Sequence, residues 1–232
     1  KLVVYSLNHR TTIYLITGAL VVICFIGISF IKTSGKLVGD LPKKDPVYKD
    51  LMFFEKHYNG VLPFEIMINT KEKNGLFNNA GRSLYKISKL QKVINNDTVI
   101  SDYFSSSLSI SDAVSFVYQA HKGGDSRYYM IPPPLEINDL KKYVSDSSKS
   151  HKQFNSFIDS NKQITHINLR IANIGKNQME NIKAHLIPKI KEIFPPEKYE
   201  VTLTGTSLVF LKGTKFLTRN LFISLGIAIL VI

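Results

Sequence analysis

The sequence predicts an α+β protein, a ferredoxin-like sheet made of two β-α-β halves with a helical insertion, flanked by transmembrane helices. Three observations lead there. Two stretches of alternating polarity are each followed by a run of helical period and a further strand-like segment. Residues 11–31, "TTIYLITGALVVICFIGISFI", contain no charged side chain. A second apolar run closes the chain.

Residues 1–10 form an N-terminal flank. Residues 11–31 would span about 30 Å as a helix, the thickness of the hydrocarbon core of a bilayer. A core helix keeps a polar stripe, and this run has none, so a membrane span is expected. It is also too long for the apolar part of a cleaved signal peptide, about 7–15 residues, and no small-residue cleavage site follows. The second run, residues 216–232, has an uninterrupted apolar stretch from Leu221. Twelve residues of helix cover only about 18 Å, so the expectation is the start of a truncated second span, and hence a fragment. In "GTSLVFLKGTKFLTRN", Thr206 or Ser207 can cap this helix, and Lys212, Lys215 and Arg219 can snorkel toward lipid head groups.

Residues 33–215 form the predicted αβ domain. Its first element is a short helix over 45–60, with Asp45 as cap, Pro46 at the first helical position and Gly60 as terminator. Val47, Leu51, Phe54 and Tyr58 share one face and are assigned to the core. "PFEIMINT" (63–70) alternates as a strand with Phe64, Ile66 and Ile68 inward. A helix over 77–94 would bury Phe77, Ala80, Leu84, Ile87, Leu90 and Ile94, before a short strand near 98–101. The pattern recurs in "QITHINLRIAN" (163–173), with Ile167, Leu169 and Ile171 inward. A helix over 176–194 would bury Met179, Ile182, Leu186, Ile190 and Ile193, with a kink or early stop near Pro188. The strand "YEVTLTG" (199–205) follows, with Tyr199, Val201 and Leu203 inward.

Residues 102–160 are expected to be a helical and loop insertion. "HKGGDSRYYMIPPP" (121–134) carries turn signals, and "PLEINDLKKYV" (134–144) and "HKQFNSFI" (151–158) look like short helices. Tyr128, Tyr129, Met130, Phe154 and Phe157 are expected to pack on something.

The formal net charge is +12, and all 18 acidic residues fall between Asp40 and Glu200. A basic surface suits anionic head groups, with nucleic acid as the rival. The lysines are scattered and no nucleic-acid-binding motif accompanies them, so no nucleic-acid partner is expected. Lys1 and Arg10 on one flank of the first span face Lys32, Lys36, Lys43 and Lys44 on the other. Long loops cross regardless of charge, so this count leaves the orientation open. Cys24 is the only cysteine, which excludes an intrachain disulfide.

No catalytic chemistry is expected. His9, His57, His121, His151, His166 and His185 lie far apart, without metal-ligand spacing. No phosphate-binding glycine loop and no G-x-S-x-G elbow occurs. Asp45, Asp50 and Glu65 read as surface charges rather than a carboxylate pair. The expectation is no enzyme, no cofactor and no metal, with the substrate-binding residues unassigned.

Three segments in fixed order carry a resemblance: "NHR" (8–10) before the first span, "GDLPKKDPVYKDLMFFEKHYNGVLPFEIMI" (39–68) after it, and "LTGTSLVFLKGTKFL" (203–217) before the second. Together they resemble the RND superfamily, in particular the bacterial MMPL and Patched-like exporters. The resemblance implies an extracytoplasmic porter domain at 33–215, in a multi-pass protein of the cytoplasmic (inner) membrane. It implies export of hydrophobic or amphiphilic molecules, lipids among them, driven by an ion gradient through helices absent here. The implied partners are the bilayer, the substrate and the rest of the same transporter, with a homo-oligomer left open. Neither apolar run carries an Asp, Glu, Lys, Arg or His (11–31, 220–232), so no coupling residue is assigned. The rival reading is a membrane-anchored extracytoplasmic sensor or interaction module.

Overall fold

A computed structural model describes residues 10–30, 41–58, 60–137 and 156–231. The chain divides into two units, Lys1–Ser34 and Gly35–Ile232. In the first, helix α1 covers Arg10–Ser29. Tyr14, Leu15, Leu20 and Ile23, which point to different sides of it, are all exposed. The described apolar part of α1, Arg10–Cys24, is shorter than a membrane span.

The second unit opens with α2, Pro46–Tyr58. Asp45 caps it as its sequence implies, the carboxylate accepting the Val47 N–H at 2.8 Å. The expected burial of its apolar stripe is corrected. Val47 is 56% exposed, Phe54 47% and Tyr58 57%, and no residue of the helix is buried. Helical spacing identifies a face but not what covers it. Here the core side of the sheet is already occupied by two other helices, and the Glu55 side chain of α2 accepts a hydrogen bond from the Asn173 backbone N–H (3.2 Å).

The sheet has three antiparallel strands, β1 (Leu62–Asn69), β2 (Ile164–Ile171) and β3 (Glu200–Thr204), in the order β2-β1-β3. Register is fixed by the period-two pattern. Ile66 stands opposite Ile167 on one side and Leu203 on the other, so the apolar residues of all three strands share one face. On that face lie α3 (Asn78–Asn95) and α5 (Lys176–Ile193), which pack on each other. Phe64, Ile66 and Ile68 meet Leu84, Ile87, Leu90, Leu186 and Ile190 in one cluster.

Three local expectations change. Ala80 is exposed, because Asn79, Ala80 and Gly81 take left-handed conformations (φ 51, 56 and 70°) and the regular helix starts after them. The expected strand near 98–101 is a turn, followed by a 3₁₀ turn at Ser101–Tyr103. Asp97 drives this, its carboxylate accepting the Val99 N–H (2.9 Å) and its carbonyl the Ser101 N–H (2.8 Å). Chain pairing resumes further on, where Phe104 and Leu108 form isolated antiparallel bridges to Ile171 and Asn168 on the outer edge of β2. Finally, α5 does not stop near Pro188 but runs to Ile193. Leu186, Ile190 and Ile193 are buried on both sides of the proline, and that packing outweighs one missing backbone bond.

The insertion expected to be helical and loop contains α4 (Ile110–His121), a helix not among the two short ones expected at 134–144 and 151–158. Ser109 caps it, accepting the Ser111 N–H (3.1 Å), while Asp112 accepts the Ser109 N–H (2.8 Å). Tyr128, Tyr129 and Met130 are exposed rather than packed away, although the Tyr128 ring meets that of Tyr118 edge-on at 5.8 Å. Phe157 is half-buried against the core. Phe154, most of the expected helix at 134–144, and residues 151–155 lie outside the described residues.

Helix α6, Thr206–Val231, leaves β3 after a single residue, Gly205. Its 26 residues reach about 39 Å, so the apolar run from Leu221 is the second half of a longer helix. Among the described residues it is the one helix both long and apolar enough to cross a membrane. The structure is thus a mixed helix and sheet fold with one apolar C-terminal helix.

Candidate functional site

β3 is the edge strand of the sheet and three residues shorter than β1 (five against eight). An edge that short leaves the flank of the core partly open. Val201 and Leu203 point inward but remain half-buried, and a groove of about 740 Å³ runs beside them. Its floor is apolar, formed by Ile187 and Ile190 of α5, Val201 and Leu203 of β3, Phe194 and Leu208.

Each wall follows from local sequence. Pro195 and Pro196 end α5 and turn the chain toward β3, with the Lys198 and Tyr199 N–H groups bonding back to the Pro195 carbonyl (3.1 and 3.0 Å). The turn places Phe194 and Tyr199 edge to face at 5.1 Å, with the Lys86 ammonium 4.4 Å from the centre of the Tyr199 ring. Gly205 closes the other end. At φ +107° it lies against the β1 backbone, where a Cβ would stand 2.7 Å from the Pro63 carbonyl oxygen. Ser207 then donates to that carbonyl (2.8 Å), and Leu208 is buried.

The rim is polar and basic. Lys183 and Lys191 stand on α5, Lys212 on α6 and Lys71 at the end of β1, with Glu200 the one carboxylate in the lining. Lys71, held in a left-handed conformation (φ 58°), donates to the Pro196 carbonyl (2.8 Å). Apolar floor and polar rim together suit a ligand that is itself part apolar and part polar.

A second cluster joins α3 to α5. The Asp97 side chain is 3% exposed and receives His185 Nε2 (2.9 Å), the Lys189 ammonium and the Val99 N–H (2.9 Å). Burial pushes its carboxyl up, but the bonds from Lys189, Val99 and His185 outweigh that and hold it at about 2. Asp159 shows the same balance. Burial raises its carboxyl, and backbone N–H groups of Ile164, Gln163 and Asn161 bring it below the usual range. Both Asp97 carboxylate oxygens are engaged, so the cluster clamps the end of α3 to α5.

The residues weighed for chemistry in the sequence are dispersed. The His57 ring lies tilted against Phe53 (centroids 4.4 Å apart) and that of His166 near Phe157 (6.3 Å), while Asp45 caps α2. No group of three His, Cys, Asp or Glu residues that could hold a metal occurs among the described residues. Of the groove lysines the sequence singles out Lys212 alone, as a side chain that can snorkel toward head groups, while Lys71, Lys183 and Lys191 go unremarked there. Lys183, Ile187 and Lys191, four residues apart along α5, were the visible signal; their meeting with Lys71 and Lys212 required the fold. Comparison with protein-family models and with curated proteins gives no match.

Proposed function

We propose that this chain is the extracytoplasmic porter domain of an RND-type exporter, with the membrane helices that flank it. In this reading α1 and α6 enter the cytoplasmic membrane and the sheet domain stands outside it. Further helices use an ion gradient to move hydrophobic or amphiphilic molecules, lipids among them. The observation that carries the reading is the direct mechanical link between sheet and membrane helix. Only Gly205 separates β3 from α6, and Ser207 and Leu208 seat the first turn of α6 against β1 and the core. A tilt of α6 therefore changes the edge at which the groove lies, as alternating access would require.

The strand arrangement supports the same reading. With the edge segment bridged through Phe104 and Leu108, the order becomes β3-β1-β2-edge. That is the order of a ferredoxin-like sheet with one outer strand reduced to two bridges, its helices α3 and α5 on one face.

The reading predicts that the natural coding sequence past Ile232 encodes four or more further apolar runs of about 20 residues, one with an ionisable residue inside it. A stop codon soon after Ile232 would sink it. A second reading, a membrane-anchored sensor or interaction module, is favoured by the exposed aromatic face of α2, which offers a surface to a partner. A soluble signalling domain after one completed helix would support that alternative.

A further inference from the structure

The groove and α6 share one electrostatic feature. Lys212 lines the groove, and Lys215 and Arg219 follow three and seven residues later on the same helical face. The row covers about 10 Å of helix axis and ends where the charge-free run begins. Within the groove, Lys191 and Lys212 are exposed and have no ion-pair or hydrogen-bond partner among the described residues. Lys71 spends one N–H on a neutral carbonyl and keeps its charge uncompensated. Lys183 alone is paired, with Glu180 at 3.1 Å. Three cations without a carboxylate partner, Lys71, Lys191 and Lys212, thus stand with Glu200 around an apolar floor that lowers the local dielectric and strengthens their field.

We infer that the groove receives an amphiphile with an anionic head group and an apolar tail, which reaches it from the bilayer surface along the Lys212–Lys215–Arg219 face of α6. The tail lies on Ile187, Leu203 and Leu208, and the head group is held among Lys71, Lys191 and Lys212. A cationic head would meet the like charge of Lys71, Lys191 and Lys212, with Glu200 the one carboxylate in the lining to offset it. A neutral head would desolvate the lysines without compensating them. About 740 Å³ falls within the usual range for a single bound small molecule, so the groove takes one amphiphile rather than a patch of membrane. This inference rests on α6 spanning the membrane and deepens the exporter reading by fixing the sign of the substrate's charge.

The test uses the full chain in phosphatidylcholine nanodiscs, titrated calorimetrically with dodecyl phosphate, dodecyl maltoside, dodecyltrimethylammonium and inorganic phosphate against protein-free discs. The expected result is saturable binding of dodecyl phosphate alone. It weakens at least tenfold in the Lys191→Glu/Lys212→Glu variant and weakens as salt is raised. Both positions are exposed, and far-UV circular dichroism with a Lys176→Glu control confirms that the fold persists. Equal binding of the three dodecyl compounds, no binding at all, or an unchanged affinity in the double variant overturns the inference. Inorganic phosphate binding as tightly as its dodecyl ester overturns it too, by reducing the groove to an anion site. Gradient-driven transport without head-group preference would refute this inference and leave the exporter reading standing. Charge-selective binding without gradient-driven transport would do the reverse.

Discussion

The Ser207 hydroxyl donates to the Pro63 carbonyl across 2.8 Å, joining the first turn of the apolar helix to the first residues of the central strand. Gly205 lies between that bond and β3, pressed against the same carbonyl. Sheet and apolar helix are therefore connected through a single residue, so that displacement of one is transmitted to the other.

Substitution at this joint separates packing from conformation. Ser207→Ala leaves the Pro63 carbonyl without this buried donor and should cost about 1 kcal/mol. Gly205→Ala should cost more, upwards of about 2 kcal/mol, because it adds a clash with the β1 backbone to an unfavourable positive φ. Denaturant midpoints in detergent rank the two. A Gly205→Ala protein as stable as the parent would show that the joint is loose.

The Asp97 clamp makes stability depend on acid. Its carboxyl is held at about 2 in the folded protein against an ordinary value near 3.8. A depressed carboxyl stabilises the fold above its unfolded value, and that contribution is lost as pH falls from about 4 toward 2. The amount is on the order of 2 kcal/mol. Asp97→Asn should remove this part of the pH dependence while lowering stability at neutral pH. Parallel melting curves from pH 6 to pH 2 would measure both effects, and identical slopes for parent and variant would refute the clamp.

Equal-looking apolar residues should respond unequally. Ile66→Ala, at the centre of β1 and 0% exposed, should cost about 2–5 kcal/mol. Phe54→Ala, on the open face of α2, should cost well under 1 kcal/mol in the purified domain. Should Phe54→Ala prove as damaging as Ile66→Ala, α2 would have a covered face after all.

The cap of α4 gives a fourth test. Ser109 also donates to Gln91 Oε1 (2.8 Å), and Gln91 donates to Asp112 (2.7 Å), so one buried network fixes α4 against α3. Ser109→Ala should destabilise by about 1–2 kcal/mol. Faster amide exchange is expected in α4, whereas exchange in β1 should stay unchanged, since β1 lies outside this network.

Much of the fold could be read from the chain because single elements obey local rules. The inward residues of β1 and β2, the buried face of α5 and the cap at Asp45 follow from periodicity and turn chemistry alone. The misreadings share a cause, competition that is invisible locally. The face of α2 is as regular as that of α5, but α3 and α5 already fill the space above the sheet. Thr98–Ser101 has the composition of a strand, yet Asp97 offers its backbone a turn. Pro188 signals a stop, and the buried residues beyond it carry the helix through. The groove was the least readable feature, because Lys71, Lys191 and Lys212 come from three separate elements and converge only when β3 takes the sheet edge.

The central claim is that the domain serves gradient-driven movement of amphiphiles, and transport in inverted membrane vesicles tests it most directly. Vesicles carrying the natural protein that contains this chain would be given a fluorescent dodecyl amphiphile and then energised with a proton or sodium gradient. The account predicts accumulation that requires the gradient, collapses with an ionophore, and falls when Gly205→Ala disturbs the joint between sheet and membrane helix. Amphiphile that binds the vesicles equally with and without a gradient would contradict it and leave a tethered binding module.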